Sequence, residues 1–144
     1  MHEIRYRRKV EFVDTDMSGI MHYSRYLIFM ENTEHAFLIA LGTPVQWWEG
    51  EREMSFPRVA VACEYMSPTR FGDELEVHLR VLRKGTKSLT YGFEITRDGR
   101  DGRDGAVVAK GRTTCACCEL NGPEGIRSVP IPAWIADQIE EAPA

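Results

Sequence analysis

The sequence predicts an α+β fold in which a curved, mainly antiparallel five-stranded sheet wraps around one long central helix. Three observations predict it. The stretch from about Ser24 to Leu41 contains neither Gly nor Pro and places apolar residues at helical spacing. The segments before and after it show runs of period two. The links between the later runs are hairpin-sized, which joins neighbouring strands antiparallel. A single helix beside five strands is central only if a twisted sheet curls around it.

At 144 residues and 16.4 kDa, the chain has the size of one domain spanning 1–144. The first strand is expected from about Ile4 to Val13. A polar segment follows, Asp14-Thr15-Asp16-Met17-Ser18-Gly19, and leads into the helix, for which Ser24 is the expected N-cap, with a first turn beginning a residue or two earlier as the alternative, and Gly42 with Pro44 the stop signal. Tyr26, Phe29, Met30, Thr33, Ala36, Phe37, Ala40 and Leu41 form its main stripe. Leu27, Ile28, Leu38 and Ile39 lie opposite, among Glu31, Glu34 and His35. Large aliphatics on both sides point to a helix enclosed by its own sheet and by a partner subunit.

After the helix, Val59, Val61, Cys63 and Tyr65 alternate with Ala60, Ala62, Glu64 and Met66. Pro68 and Phe71-Gly72-Asp73 break that run. Leu75, Val77, Leu79 and Val81 then oppose Glu74, Glu76, His78 and Arg80 in the cleanest strand pattern of the chain. Lys84-Gly85-Thr86 reads as a turn, and Leu89, Tyr91, Phe93 and Ile95 continue the inward period. Arg97-Asp98-Gly99 is written three times, ending at Gly105. Asp-Gly favours a protruding β-turn, and the further ligands and closing Glu of a calcium loop are missing. Val107 to Cys118 supplies the last strand, and a short helical segment is expected near Trp134 to Ile139.

Composition excludes several function classes. The net charge of −4 comes from 18 basic and 22 acidic residues with no segregated tail, so no basic stripe for nucleic acid is expected. No apolar run approaches a membrane span, and the charged start Met1-His2-Glu3-Ile4-Arg5 does not read as a signal peptide. A soluble, cytoplasmic protein is expected. Cys115, Cys117 and Cys118 crowd one strand while Cys63 stands alone, which favours reduced thiols. The histidines are scattered, and no metal site is expected. No phosphate loop, dinucleotide-binding turn or Gly-x-Ser-x-Gly elbow is present.

The concentrated chemistry lies in Asp14-Thr15-Asp16-Met17-Ser18-Gly19-Ile20-Met21-His22-Tyr23-Ser24-Arg25-Tyr26. This segment leaves a strand, bends at Gly19 and enters a helix. It can hold a carboxylate close to the unpaired N–H groups of a helix start, which stabilise negative charge developing on an oxygen. That pairing suits addition to a carbonyl or thioester followed by departure of a thiolate. Asp14 and Asp16 as plain turn or capping acceptors remain the competing reading.

Phe12 to Glu31, with its Asp-x-Asp-x-x-Gly-Ile-Met-His-Tyr-Ser-Arg-Tyr core, resembles the hotdog-fold 4-hydroxybenzoyl-CoA thioesterase family. The likeness continues through Phe56-Pro57-Arg58-Val59, Tyr65-Met66-Ser67-Pro68, Phe71-Gly72-Asp73, the Leu75–Val81 strand and Val129-Pro130-Ile131-Pro132. The resemblance implies a hotdog fold and hydrolysis of an acyl-CoA thioester to a carboxylic acid and free CoA, without a bound cofactor. It implies that Asp16, as nucleophile or general base, acts with the Tyr23 backbone N–H as oxyanion donor. Several relatives read Tyr-His where this chain reads His22-Tyr23, so His22 is expected either to line the site and handle protons or to pack and cap. Arg25, Arg58, Arg83 and Lys84 are candidates for the phosphates of CoA. The resemblance also implies a homodimer or a homotetramer of paired dimers, with the acyl site near a subunit boundary. An acyl-thioester dehydratase on the same broad fold and a non-catalytic acyl-CoA-binding protein are the rival readings.

Overall fold

The computed structural model describes residues 1–98 and 105–144. A five-stranded sheet is built from β1 (Glu3–Lys9), β4 (Arg58–Tyr65), β5 (Glu74–Lys84), β6 (Ser88–Asp98) and β7 (Val107–Ala116). Its order is β1-β5-β6-β7-β4, and every neighbouring pair is antiparallel. The long helix α1 (Tyr23–Ala40) packs against β1, β5 and β7. The alternation read in β5 is physical: Leu75, Val77, Leu79 and Val81 are fully buried toward the helix while the intervening polar residues face outward. Leu89, Tyr91, Phe93 and Ile95 of β6 do the same, and Phe37 of α1 meets the Tyr91 ring edge-on with centroids 5.7 Å apart.

Sequence neighbours are not always sheet neighbours. β4 does not lie beside β5, as the run of short connections suggested, but closes the far edge against β7. The connecting segment therefore crosses the end of the sheet. Met66 and Ser67 donate backbone bonds to Val108, Thr69 accepts from Met21, and Gly72 donates to Val10. That crossing brings the loop over the start of α1. As an edge strand, β4 leaves Val59 and Val61 64% and 49% exposed, so its expected inward face is uncovered in a single chain.

Several boundaries differ from the sequence reading. β1 stops at Lys9, and Phe12–Asp14 form a 3-10 turn closed by reciprocal bonds between Glu11 and Asp14. The helix cap is His22 rather than Ser24: its Nδ1 accepts the Ser24 N–H at 3.2 Å. The helix ends as expected, with Gly42 at φ +77 after Leu41. Of the four aliphatics opposite the main stripe, Leu38 is buried and Leu27 half-buried, whereas Ile28 and Ile39 are exposed. A second sheet, not anticipated, is formed by β2 (Gln46–Glu49), β3 (Arg52–Ser55), β8 (Cys118–Gly122) and β9 (Gly125–Ser128), in the order β2-β3-β8-β9. The expected last strand therefore breaks at Cys117, whose N–H turns to Lys87. The short C-terminal helix α2 covers Ala133–Ala136. The central part of the repeated Arg-Asp-Gly turn lies outside the described residues. All four cysteines are free thiols, and burial pushes Cys115 up to about 12 and Cys117 up to about 11, which keeps both protonated.

Gly111 of β7 decides how closely α1 approaches the sheet. A Cβ there would overlap the Sδ of Met30, a fully buried helix residue. Gly111→Ala is expected to lower unfolding free energy by about 1–3 kcal/mol, the range for overpacking a filled core. Urea denaturation monitored by circular dichroism checks it.

Candidate active site

The site begins with two aspartates two residues apart that do different things. Asp14 has no solvent exposure. Its Oδ2 accepts the Glu11 N–H at 2.9 Å and its Oδ1 the Arg25 Nε–H at 2.8 Å, with Arg8 3.5 Å from the same oxygen. Its backbone carbonyl also accepts from His22 N at 2.8 Å. Asp14 is thus a structural acceptor that ties β1, the turn and the start of α1 together.

Asp16 sits at the mouth of that frame. Its Oδ1 accepts the Ser18 N–H at 2.8 Å, while its backbone bonds to Ile20 and Gly19 close a tight turn. Gly19 has φ +78, a conformation that side-chain-bearing residues rarely adopt. The other carboxylate oxygen has no hydrogen-bond partner among the described residues. Asp16 lines a cavity of about 480 Å³ together with Tyr23, Tyr26, Tyr65, Met66 and Pro68. β4 and the crossing loop thus form one wall, and the start of α1 forms the other.

The first turn of α1 presents its amides unequally. Ser24 N is capped by His22 Nδ1, and Arg25 N reaches the His22 carbonyl. Among the described residues the Tyr23 N–H has no partner. Its ring is 68% exposed and stacks on His22 with centroids 4.4 Å apart. Asp16 and Tyr23 thus flank one cavity, the first with a free carboxylate oxygen and the second with a free helix-start donor.

A sequence profile, the thioesterase-like superfamily, matches residues 10–139. The chain belongs to that superfamily. This thioesterase is 30% identical over 132 residues to a 1,4-dihydroxy-2-naphthoyl-CoA hydrolase of Prochlorococcus marinus, covering 83% of this chain and 84% of the relative. It is 27% identical over 112 residues to the acyl-CoA thioesterase YbgC of Haemophilus influenzae, covering 78% of each. Among solved structures it superposes on 4-hydroxybenzoyl-CoA thioesterase from a Pseudomonas species with TM-score 0.81 at 18% identity, over 95% of this chain and 99% of the other. That likeness establishes the hotdog fold.

The remaining site candidates of the thioesterase separate in space. His22 does not line the cavity. Its Nδ1 meets the Ser24 hydroxyl at 2.7 Å as well as the Ser24 amide, so it serves as the helix cap. Arg25 is committed to the buried Asp14. Arg58 pairs with Glu34 at 2.5 Å and lies 3.6 Å from Glu31. Arg83 and Lys84 lie at the opposite end of β5 from the crossing loop, about 33 Å along ten extended residues, and Lys84 Nζ donates to the Ile139 carbonyl. Among the described residues no three His, Cys, Asp or Glu side chains group as metal ligands. No helix of the described residues is long and apolar enough to cross a membrane.

Tyr65, Ser67 and Pro68 reach the site without having been assigned to it from the sequence. Tyr26, expected mainly as core, is both buried and cavity-lining. Its hydroxyl shares a 3.1 Å hydrogen bond with Thr69 Oγ1, and burial raises its ionisation above the ordinary tyrosine range. Tyr65 is pushed up to about 12, by burial first and by the neighbouring Cys63 thiol second. Both phenols therefore stay neutral donors at any working pH.

Proposed function

We propose that this thioesterase hydrolyses an acyl-CoA thioester to a carboxylic acid and free CoA. The carrying observation is that Asp16, with one carboxylate oxygen free of partners, and Tyr23, whose N–H is unpaired, line the same cavity. Asp16 attacks the thioester carbon to give an anhydride, or removes a proton from water as that water adds. In either route the carbonyl oxygen gains charge and moves toward the Tyr23 N–H, at the positive end of the α1 dipole. Collapse of the tetrahedral intermediate expels the CoA thiolate, and on the anhydride route water then cleaves the anhydride, releasing the acid and restoring the Asp16 carboxylate. The CoA-thioester substrates named for the curated relatives support this substrate class.

The free edge of β4, with Val59 and Val61 uncovered and Val61 sharing a groove with Ile28 of the helix, supports a homodimer or a tetramer of dimers. In such an assembly Arg83 and Lys84 serve CoA phosphates only at another subunit's site, because their own Asp16 is too far away. Arg58 is a phosphate candidate only if it leaves Glu34.

The test is a panel of aroyl-, short branched and long-chain acyl-CoA substrates, followed by thiol release and by mass spectrometry. Release of CoA with the free acid is expected for at least one substrate class. Loss of water with the thioester intact would replace this reading with a dehydratase. Binding without either change would replace it with an acyl-CoA-binding protein.

A further inference from the structure

We propose that Tyr65 is a positioning residue for the oxyanion contact, holding the first turn of α1 so that the Tyr23 N–H faces the thioester. This rests on the roles proposed above for Asp16 and the Tyr23 amide. The Tyr65 hydroxyl, from the edge strand β4, donates to the Tyr23 carbonyl at 2.9 Å across 42 residues of sequence. Helical geometry fills one lone pair of that carbonyl with the N–H four residues on, and Tyr65 takes the other.

Two peptide planes meet at the Tyr23 Cα. The plane carrying the N–H also carries the His22 carbonyl, which accepts the Arg25 N–H at 2.9 Å within the first turn. The plane carrying the C=O is held by Tyr65. Among the described residues Tyr65 is the one group outside α1 that bonds to the Tyr23 backbone. The exposed Tyr23 ring, resting on His22, cannot anchor it instead. Tyr65 is braced in turn by the Tyr26 ring, edge-on with centroids 5.0 Å apart, and Tyr26 by Thr69. An oxyanion donor works only when it stands about 2.7–3.1 Å from the place the oxyanion will occupy, so a loosened first turn lowers the rate without changing substrate affinity.

Tyr65→Phe keeps the ring and removes the hydroxyl. With a substrate from the panel, kcat is expected to fall about tenfold while KM, and Kd for an unreactive thioether analogue of the same acyl-CoA, stay within about twofold. In the Asp16→Asn background, the infrared stretch of a 13C-labelled thioester carbonyl should move to higher frequency when Tyr65→Phe is added, reporting a weaker oxyanion contact. Unchanged kcat and carbonyl stretch would overturn the proposal. So would a rise in KM and Kd at constant kcat, which would make Tyr65 a direct substrate contact. Full turnover by Asp16→Asn alone would remove the underlying reading instead. An inactive Asp16→Asn beside an unaffected Tyr65→Phe would remove only the role of Tyr65.

Discussion

Asp16→Asn is expected to lower kcat by about a hundred- to ten-thousandfold if the carboxylate is a general base, and further if it is the nucleophile, with Tm unchanged. The structural role survives the change, because the amide oxygen of Asn accepts the Ser18 N–H as Asp16 Oδ1 does now at 2.8 Å. What is lost is the negative charge of a carboxylate that lines the cavity. Asp14 cannot substitute, since it is fully buried and both of its oxygens already accept hydrogen bonds. Steady-state thiol release with a substrate from the panel, beside a thermal melt, separates the two effects. Residual activity within about tenfold of the parent would take Asp16 out of the reaction, and a large drop in Tm would make it a turn residue.

The parts of this arrangement that were legible in the sequence are those decided locally. β5 has one buried and one wet face, so Leu75 to Val81 alternate with charged residues and the strand reads itself. The Asp16 turn is likewise local, closed by Ser18, Gly19 and Ile20. β4 carries apolar residues on both faces, and its place at the sheet edge depends on a competition for β7 and β5 that no short window contains. Strands of four residues, such as Gln46–Glu49 and Gly125–Ser128, are too short to display a period. The cap falls two residues before Ser24, within the earlier start the sequence left open, because the His22 ring accepts the Ser24 amide in place of the usual Ser, Thr, Asp or Asn oxygen. Tyr65 went unassigned for a different reason: its contact with Tyr23 exists only once β4 has crossed to the far side of the sheet.

The same crossing creates a buried ion pair. Glu34 on α1 is 3% exposed. Its Oε2 meets Arg58 of β4 at 2.5 Å and its Oε1 accepts the Thr113 hydroxyl of β7 at 2.6 Å. Arg58→Met strands that carboxylate with one neutral donor, a loss expected to reduce unfolding free energy by about 3 kcal/mol. This is the low end of the range for broken buried pairs, because the Arg58 side chain retains 28% of its exposure. Glu31, half in solvent at 3.6 Å from Arg58, loses little. Removing the whole polar set should undo the damage, since desolvating two charges offsets most of what their attraction returns. Arg58→Met combined with Glu34→Leu and Thr113→Val is therefore expected to regain most of the lost stability in urea titrations. If Arg58 were instead a phosphate ligand free of Glu34, the single substitution would leave stability intact and raise KM in a salt-dependent way. The Arg58→Met measurement thus decides between a structural pair and a substrate contact at Arg58, which lines a separate groove between α1 and β4.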